Sequence, residues 1–327
     1  MHRFPAARGL GGPNAQTIWS ALFRRQRPRA PLVVARWPVP DGHLITAELL
    51  PLRGGRPGVL VLHGLEGSPR ASYVSGLLAA VEARGWNGAA VSFRSCEPSG
   101  AAALDGTPPE RGLYHSGDTR DLGPALTHLR AQWGAVPLGA VGFSLGANVL
   151  LKWLGEEAGR ADLAAAVAVS TPFDLAACAR AVDAAGFFSA LYRRRFLRTL
   201  RRKALAVAAR HPERFDATAI RACTTFHGYD DLVTARIFGF RDAADYWSRC
   251  SSAGFLGAIR RPTLLISAED DPIVPGWCIP RDALAANPVL EPHLFDRGGH
   301  VGFIAGSLLR PRYAADALAL DFLAARF

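Results

Sequence analysis

The 327-residue sequence predicts an α/β fold. It is expected to have a mostly parallel central sheet with an antiparallel N-terminal edge, helices on both faces and an inserted helical cap. Three observations carry this. From Pro57 onward, short apolar runs alternate with helical patterns, as in βαβ units whose sheet is covered on both faces. Before that, two apolar runs are split by Pro40-Asp41-Gly42-His43, which is hairpin punctuation. Between Pro172 and Ser252 no strand-like run occurs, only amphipathic stretches rich in aromatics such as Phe187, Phe188, Tyr192, Phe196 and Phe215.

In chain order, Leu32 to Ala35 and Leu44 to Leu50 form the antiparallel edge. Gly58 to Leu62 is a buried strand, Tyr73 to Arg84 a helix stopped by Gly85, and Gly88 to Phe93 the next strand. Asp118 caps a helix running to about Trp133. Leu138 to Phe143 is a strand, Leu145 to about Leu154 its helix, and Ala164 to Val169 the strand after it. Thr263 to Ser267 and Val289 to Phe295 complete the sheet, and a helix from about Tyr313 to Ala325 closes the chain. The expected organisation is a core of residues 1–171 and 253–327, with residues 172–252 as the cap.

At 49% hydrophobic and 20% charged residues the chain can bury a full core. No stretch approaches the roughly 18 uninterrupted apolar residues of a membrane span. Residues 1–16 contain no apolar run of the secretory type, so a cytoplasmic location is the default expectation. The five cysteines, Cys96, Cys178, Cys223, Cys250 and Cys278, are odd in number and lack C-x-x-C spacing, so neither a disulfide framework nor a zinc site is expected. The formal charge of +10 is local: residues 1–29 hold six arginines and no acid, and Arg193 to Lys203 holds seven cations and no acid. Those thirteen charges exceed the total. The rest of the chain is therefore net acidic, and the basic balance implies no general affinity for nucleic acid.

Gly142-Phe143-Ser144-Leu145-Gly146 matches G-x-S-x-G between a strand and a helix, the setting in which that motif presents a nucleophilic serine. Glycines are needed there because the turn is tight and backbone must pass close by. The helix N-terminus behind Ser144 offers N–H groups suited to a developing oxyanion. His63-Gly64-Leu65-Glu66-Gly67 ends the first parallel strand, where the second oxyanion loop belongs. The backbone N–H groups of Leu65 and Leu145 are the expected donors, and His63 is expected to shape the loop.

Ala268-Glu269-Asp270-Asp271-Pro272-Ile273-Val274-Pro275 puts three acids at a strand's C-terminal end, facing the crevice where open α/β sheets bind ligands. Asp271, four residues before Pro275, has the spacing of an acid that orients a catalytic histidine in α/β hydrolases, and Asp270 competes with it. Asp296-Arg297-Gly298-Gly299-His300 then supplies an imidazole on a glycine-rich loop after the last strand. The order Ser144, Asp271, His300 is that of the α/β-hydrolase fold. An unassisted serine hydroxyl is a poor nucleophile near neutral pH, and an imidazole held by a carboxylate removes its proton.

These residues resemble the YheT-type branch of the α/β hydrolases. The resemblance runs through His63 to Ser68, Tyr114-His115-Ser116-Gly117, Gly142 to Gly146, Tyr229-Asp230-Asp231-Leu232-Val233-Thr234-Ala235-Arg236 and Gly298 to Phe303. It implies hydrolysis of short- to medium-chain carboxylic esters by Ser144, Asp271 and His300, with acyl transfer to an alcohol as the alternative. A non-catalytic binding protein is the reading outside enzymes. Ala147 stands where a second glycine is usual, and Phe93-Arg94-Ser95-Cys96-Glu97-Pro98 lacks a glycine common after Phe-Arg.

No cofactor and no metal are expected. Asp230 and Asp231 read as an N-cap and a salt-bridge partner rather than metal ligands, and Gly9 to Gly12 lacks the Lys-Ser/Thr of a phosphate loop. The expected partner is a small-molecule acyl ester. The Arg193 to Lys203 run reads first as a solvated helix face with Phe196, Leu197 and Leu200 turned inward, and second as a weak peripheral membrane contact. Oligomeric state leaves no trace in the sequence.

Overall fold

A computed structural model describes residues 1–97 and 112–327. Pro98 of the Phe93 to Pro98 segment lies outside the described residues. Eight strands form one sheet: β1 (Val33–Pro38), β2 (Leu44–Leu49), β3 (Gly58–Leu62), β4 (Asn87–Val91), β5 (Leu138–Phe143), β6 (Ala165–Val169), β7 (Thr263–Ala268) and β8 (Leu290–Phe295). Their order is β1-β2-β4-β3-β5-β6-β7-β8. β1 pairs antiparallel with β2 and β2 with β4, and every later pairing is parallel. This is the mostly parallel sheet with an antiparallel edge that the apolar patterning predicts.

Alternation along the strands divides the core. Leu60, Leu62, Val91, Ala140 and Leu265 face one side, against Leu122, Leu126, Leu129 and Trp133 of α3 (Leu122–Trp133) and Val149, Leu150 and Leu154 of α4 (Leu145–Glu157). Val59, Val61, Val141, Val167 and Ile266 face the other, against Val74, Leu77, Leu78 and Val81 of α2 (Ser72–Ala83) and Leu320 and Leu323 of the closing helix Ala314–Ala324. An α1 helix (Pro13–Phe23) precedes the sheet. Sequence patterning does not reveal it, because its buried positions are the polar Gln16, Thr17 and Ser20.

The helix expected to start at Asp118 begins instead at Leu122. Asp118 instead pairs with Arg120, whose Nε and Nη2 donate to its two oxygens at 2.8 and 2.7 Å, and Asp121 stands at the N-cap. A short antiparallel pair, β9 (Ile304–Gly306) and β10 (Pro311–Tyr313), also follows β8.

Between β6 and β7 lie helices α5 (Leu175–Asp183), α6 (Phe187–Ala208), α7 (Ala217–Ala222) and α8 (Ala243–Cys250), with a run of helical turns over residues 226–238. Their own apolar cluster joins Leu197, Leu200, Ala204 and Val207 of α6 to Ile220, Tyr229, Val233 and Ile237. The arginine-rich helix α6 is thus anchored by one apolar stripe, as its spacing predicts.

Candidate active site

Ser144 sits between β5 and α4 with φ 52° and ψ −119°, a conformation non-glycine residues adopt at a cost of about 1–3 kcal/mol. Neighbouring backbone holds it there. Ser144 N–H donates to Val169 O at 2.8 Å, and Ser144 O accepts from Ala147 and Asn148 at 2.9 and 3.1 Å. The flanking glycines are required by close approach. A Cβ on Gly142 would lie 2.5 Å from Gly146 O, and one on Gly146 would lie 2.5 Å from His63 O.

His300 brings its imidazole to that serine: Nε2 is 2.9 Å from Ser144 Oγ and Nδ1 is 2.8 Å from Asp271 Oδ2. A carboxylate only accepts, so Nδ1 carries the proton and Nε2 is free to accept from the Ser144 hydroxyl. Asp271 is fixed in turn, its Oδ1 accepting from Ile273 and Val274 N–H at 2.8 and 2.9 Å. Both His300 and Asp271 are buried. Asp270 points elsewhere. Its Oδ1 accepts from Gly298 and Gly299 N–H at 2.8 and 2.9 Å, so it shapes the histidine loop while its neighbour meets the imidazole.

The loop after β3 packs on the serine turn. A Cβ on Gly64 would be 3.2 Å from Ser144 Cβ. His63 Nδ1 donates to Gly64 O at 2.8 Å and its Nε2 accepts from Phe93 N–H at 3.1 Å. Burial pushes the His63 imidazole down to about 4, so the ring is neutral and structural. Gly64 N–H donates to Tyr73 Oη and Glu66 N–H to Tyr114 Oη, each at 2.8 Å. Among the described residues the N–H groups of Leu65 and Leu145 donate to nothing.

Several supporting residues escape sequence reasoning. Thr17 Oγ1 of α1 accepts from His300 N–H at 2.8 Å, and Gln16 bonds both N–H and C=O of Ile304. Lys203 of α6 reaches Glu66, with Nζ 2.7 Å from Oε1, and Tyr114 Oη donates to the same oxygen at 3.1 Å. Burial alone would lower the Lys203 ammonium, but neighbouring Cys96 and Glu66 raise it overall. Tyr114 and Glu66 carried a signal as members of motifs and Lys203 as the end of the basic run, none with this role assigned, whereas Gln16 and Thr17 carried none.

Two cavities meet at Ser144 and His300. The larger, about 300 Å³, is mostly apolar and opens between α1 (Ile18, Leu22) and α6 (Leu191, Phe196). The smaller, about 90 Å³, lies beneath α5 and α8, bounded by Leu175, Val182 and Trp247. Asp230 is on its wall, bonded to Thr234 Oγ1 at 2.7 Å and Trp247 Nε1 at 2.9 Å, and burial pushes its carboxyl up to about 7. Among the described residues no group of three His, Cys, Asp or Glu side chains is placed to hold a metal ion.

Comparison with known proteins identifies the family. The α/β hydrolase fold family matches residues 57–307. YheT of Escherichia coli (strain K12), named as an esterase by inference, is 36% identical over 98% of this chain and 92% of its own length. Monoacylglycerol lipase of Saccharomyces cerevisiae (strain ATCC 204508 / S288c) is 29% identical over 79% of this chain, which spans 57% of that protein. Phospholipase ABHD3 of Mus musculus is 28% identical over 77% of this chain, which spans 59% of it. Among solved structures, the Pyrococcus furiosus esterase Pf2001 shares the fold with a TM-score of 0.57 at 17% identity, covering 90% of this chain and 92% of that one.

Proposed function

The chain belongs to the YheT-like branch of the α/β-hydrolase fold family, and on that premise we propose that it is a serine carboxylesterase acting on short- to medium-chain acyl esters. The observation that carries this reading is the buried chain of contacts from Ser144 Oγ to His300 to Asp271 at the inner end of an apolar cavity. In the proposed reaction His300 Nε2 takes the Ser144 proton as Oγ attacks the ester carbonyl. The oxyanion that forms is stabilised by the N–H groups of Leu65 and Leu145, and Asp271 stabilises the imidazolium. His300 then returns the proton to the departing alcohol, leaving an acyl-enzyme. Water, deprotonated by the same imidazole, releases the acid and restores Ser144.

Relatives named as esterase, monoacylglycerol lipase and phospholipase support ester bonds as the substrate class. The test is turnover of p-nitrophenyl esters of graded chain length by the wild-type chain and Ser144→Ala, with a vinyl ester plus ethanol as the acyl-transfer arm. Loss of turnover in the variant is the expected result. Undiminished turnover would remove Ser144 and the mechanism with it, and a predominantly transesterified product would replace hydrolysis by acyl transfer.

A further inference from the structure

The seven cations of Arg193 to Lys203 do not behave as one group. Arg193 Nη1 donates to Val182 O at 2.9 Å, Arg201 Nη1 to the carbonyls of Arg221 and Cys223 at 3.0 Å, and Lys203 is committed to Glu66. Arg194, Arg195, Arg198 and Arg202 are exposed and, among the described residues, meet no acid. On α6 the exposed Phe187, Leu191, Arg194, Arg198 and Arg202 recur every three or four residues, forming one face opposite the buried Leu197, Leu200 and Ala204.

That face begins apolar and becomes cationic. Phe187 is 78% exposed, with Phe188 and Leu191 also open to solvent. Leu191 and Arg195 line the larger cavity as well. Across the opening, α1 contributes Leu22 to the same cavity and ends in the exposed Leu22 and Phe23, followed by exposed Arg25 and Arg27. Tyr192 Oη donates to Asn14 Oδ1 at 2.7 Å, tying the two helices together beside the opening. The mostly apolar cavity that reaches Ser144 therefore has exposed apolar residues at its mouth, with exposed arginines beside them.

We propose that this α1–α6 lip docks the protein on an anionic lipid bilayer, and that acyl esters pass from that surface into the cavity. Phe187, Leu191, Leu22 and Phe23 would enter the acyl boundary, while Arg194, Arg198 and Arg202 meet lipid phosphates. Charge complementarity commits the face to a bilayer of negative surface charge. No single described helix is long and apolar enough to cross a membrane, and the proposed contact is a peripheral one. The delivery of esters rests on the serine-esterase reading, whereas docking does not.

The experiment is co-sedimentation with vesicles of phosphatidylcholine alone and of phosphatidylcholine mixed with phosphatidylglycerol, using wild type, Ser144→Ala, Phe187→Asp and the triple variant Arg194→Gln/Arg198→Gln/Arg202→Gln. Wild type and Ser144→Ala should bind the anionic vesicles alike, so a failure of the esterase mechanism leaves this readout intact. Each arginine near the surface is worth roughly fivefold in partitioning, so the triple variant should bind on the order of 100-fold more weakly. Turnover of a soluble short-chain ester should not change in the triple variant or in Phe187→Asp, whose substituted side chains do not line the cavity. Three results would each overturn the proposal: no binding to anionic vesicles, equal binding to phosphatidylcholine alone, or a dimer in solution that Phe187→Asp dissociates, which would make a second copy the occupant.

Discussion

Asp230→Asn should change how stability depends on pH. Unfolded, the carboxyl titrates at its ordinary value of 3.8, and in the folded chain burial pushes it up to about 7. Between those values the unfolded state has released a proton that the folded state keeps. Stability therefore falls as pH rises from about 4 to about 7, then levels off. At about 1.4 kcal/mol per unit the full loss is about 4 kcal/mol, of which about 3 kcal/mol falls between pH 5 and pH 8. Asparagine reproduces the neutral acid at this site. Its carbonyl can accept from Trp247 Nε1 and its amide can donate to Thr234 Oγ1, the two partners the carboxyl already has. The variant should thus be close to wild type under acidic conditions and gain on it steadily toward pH 8. Urea denaturation of both proteins at pH 5, 6, 7 and 8 measures the difference. A stability difference that stays constant across that range, or that moves in favour of the wild type, would refute the claim that burial holds Asp230 protonated.

The other predictions concern the serine site and its supports. Asp271→Asn should lower kcat by about 10⁴-fold, because the amide no longer fixes the tautomer or stabilises the imidazolium, while Asp270→Asn should cost far less; equal losses in steady-state kinetics would return the orienting role to an open choice between the two acids. Lys203→Met breaks a pair in which both side chains are largely buried, 11% and 7% exposed, and should destabilise the chain by about 3–5 kcal/mol. In denaturant titrations the double variant Lys203→Met/Glu66→Gln should recover much of that loss, and no recovery would mean the ammonium acts through packing alone.

Much of the candidate site is legible in sequence because its parts are local. Gly142 to Gly146 carries its own mechanical requirement, visible in the 2.5 Å contacts that any Cβ at either glycine would make. Strand ends are legible because buried parallel strands are short apolar runs, so Asp271 and His300 could be assigned to the same end of the sheet as Ser144. Which of two adjacent acids meets the imidazole was not settled by that reasoning alone. Asp270 and Asp271 differ by one step along the chain, and their separation into a loop-shaping and an imidazole-binding acid depends on where Gly298 and Gly299 pass.

From patterning, the chain's own residues determined the α/β class, the antiparallel edge, the order of serine, acid and histidine, and the inward stripe of α6. Tertiary structure alone decided what the polar residues do. Thr17 meets His300 across 283 positions, Lys203 meets Glu66 across 137, and the basic run divides into inward and outward members according to which carbonyls and acids lie within reach. The physical reason is that apolar burial follows periodicity along one element, which a sequence displays. A hydrogen bond between distant segments depends on the positions of both backbones, and no local pattern encodes that.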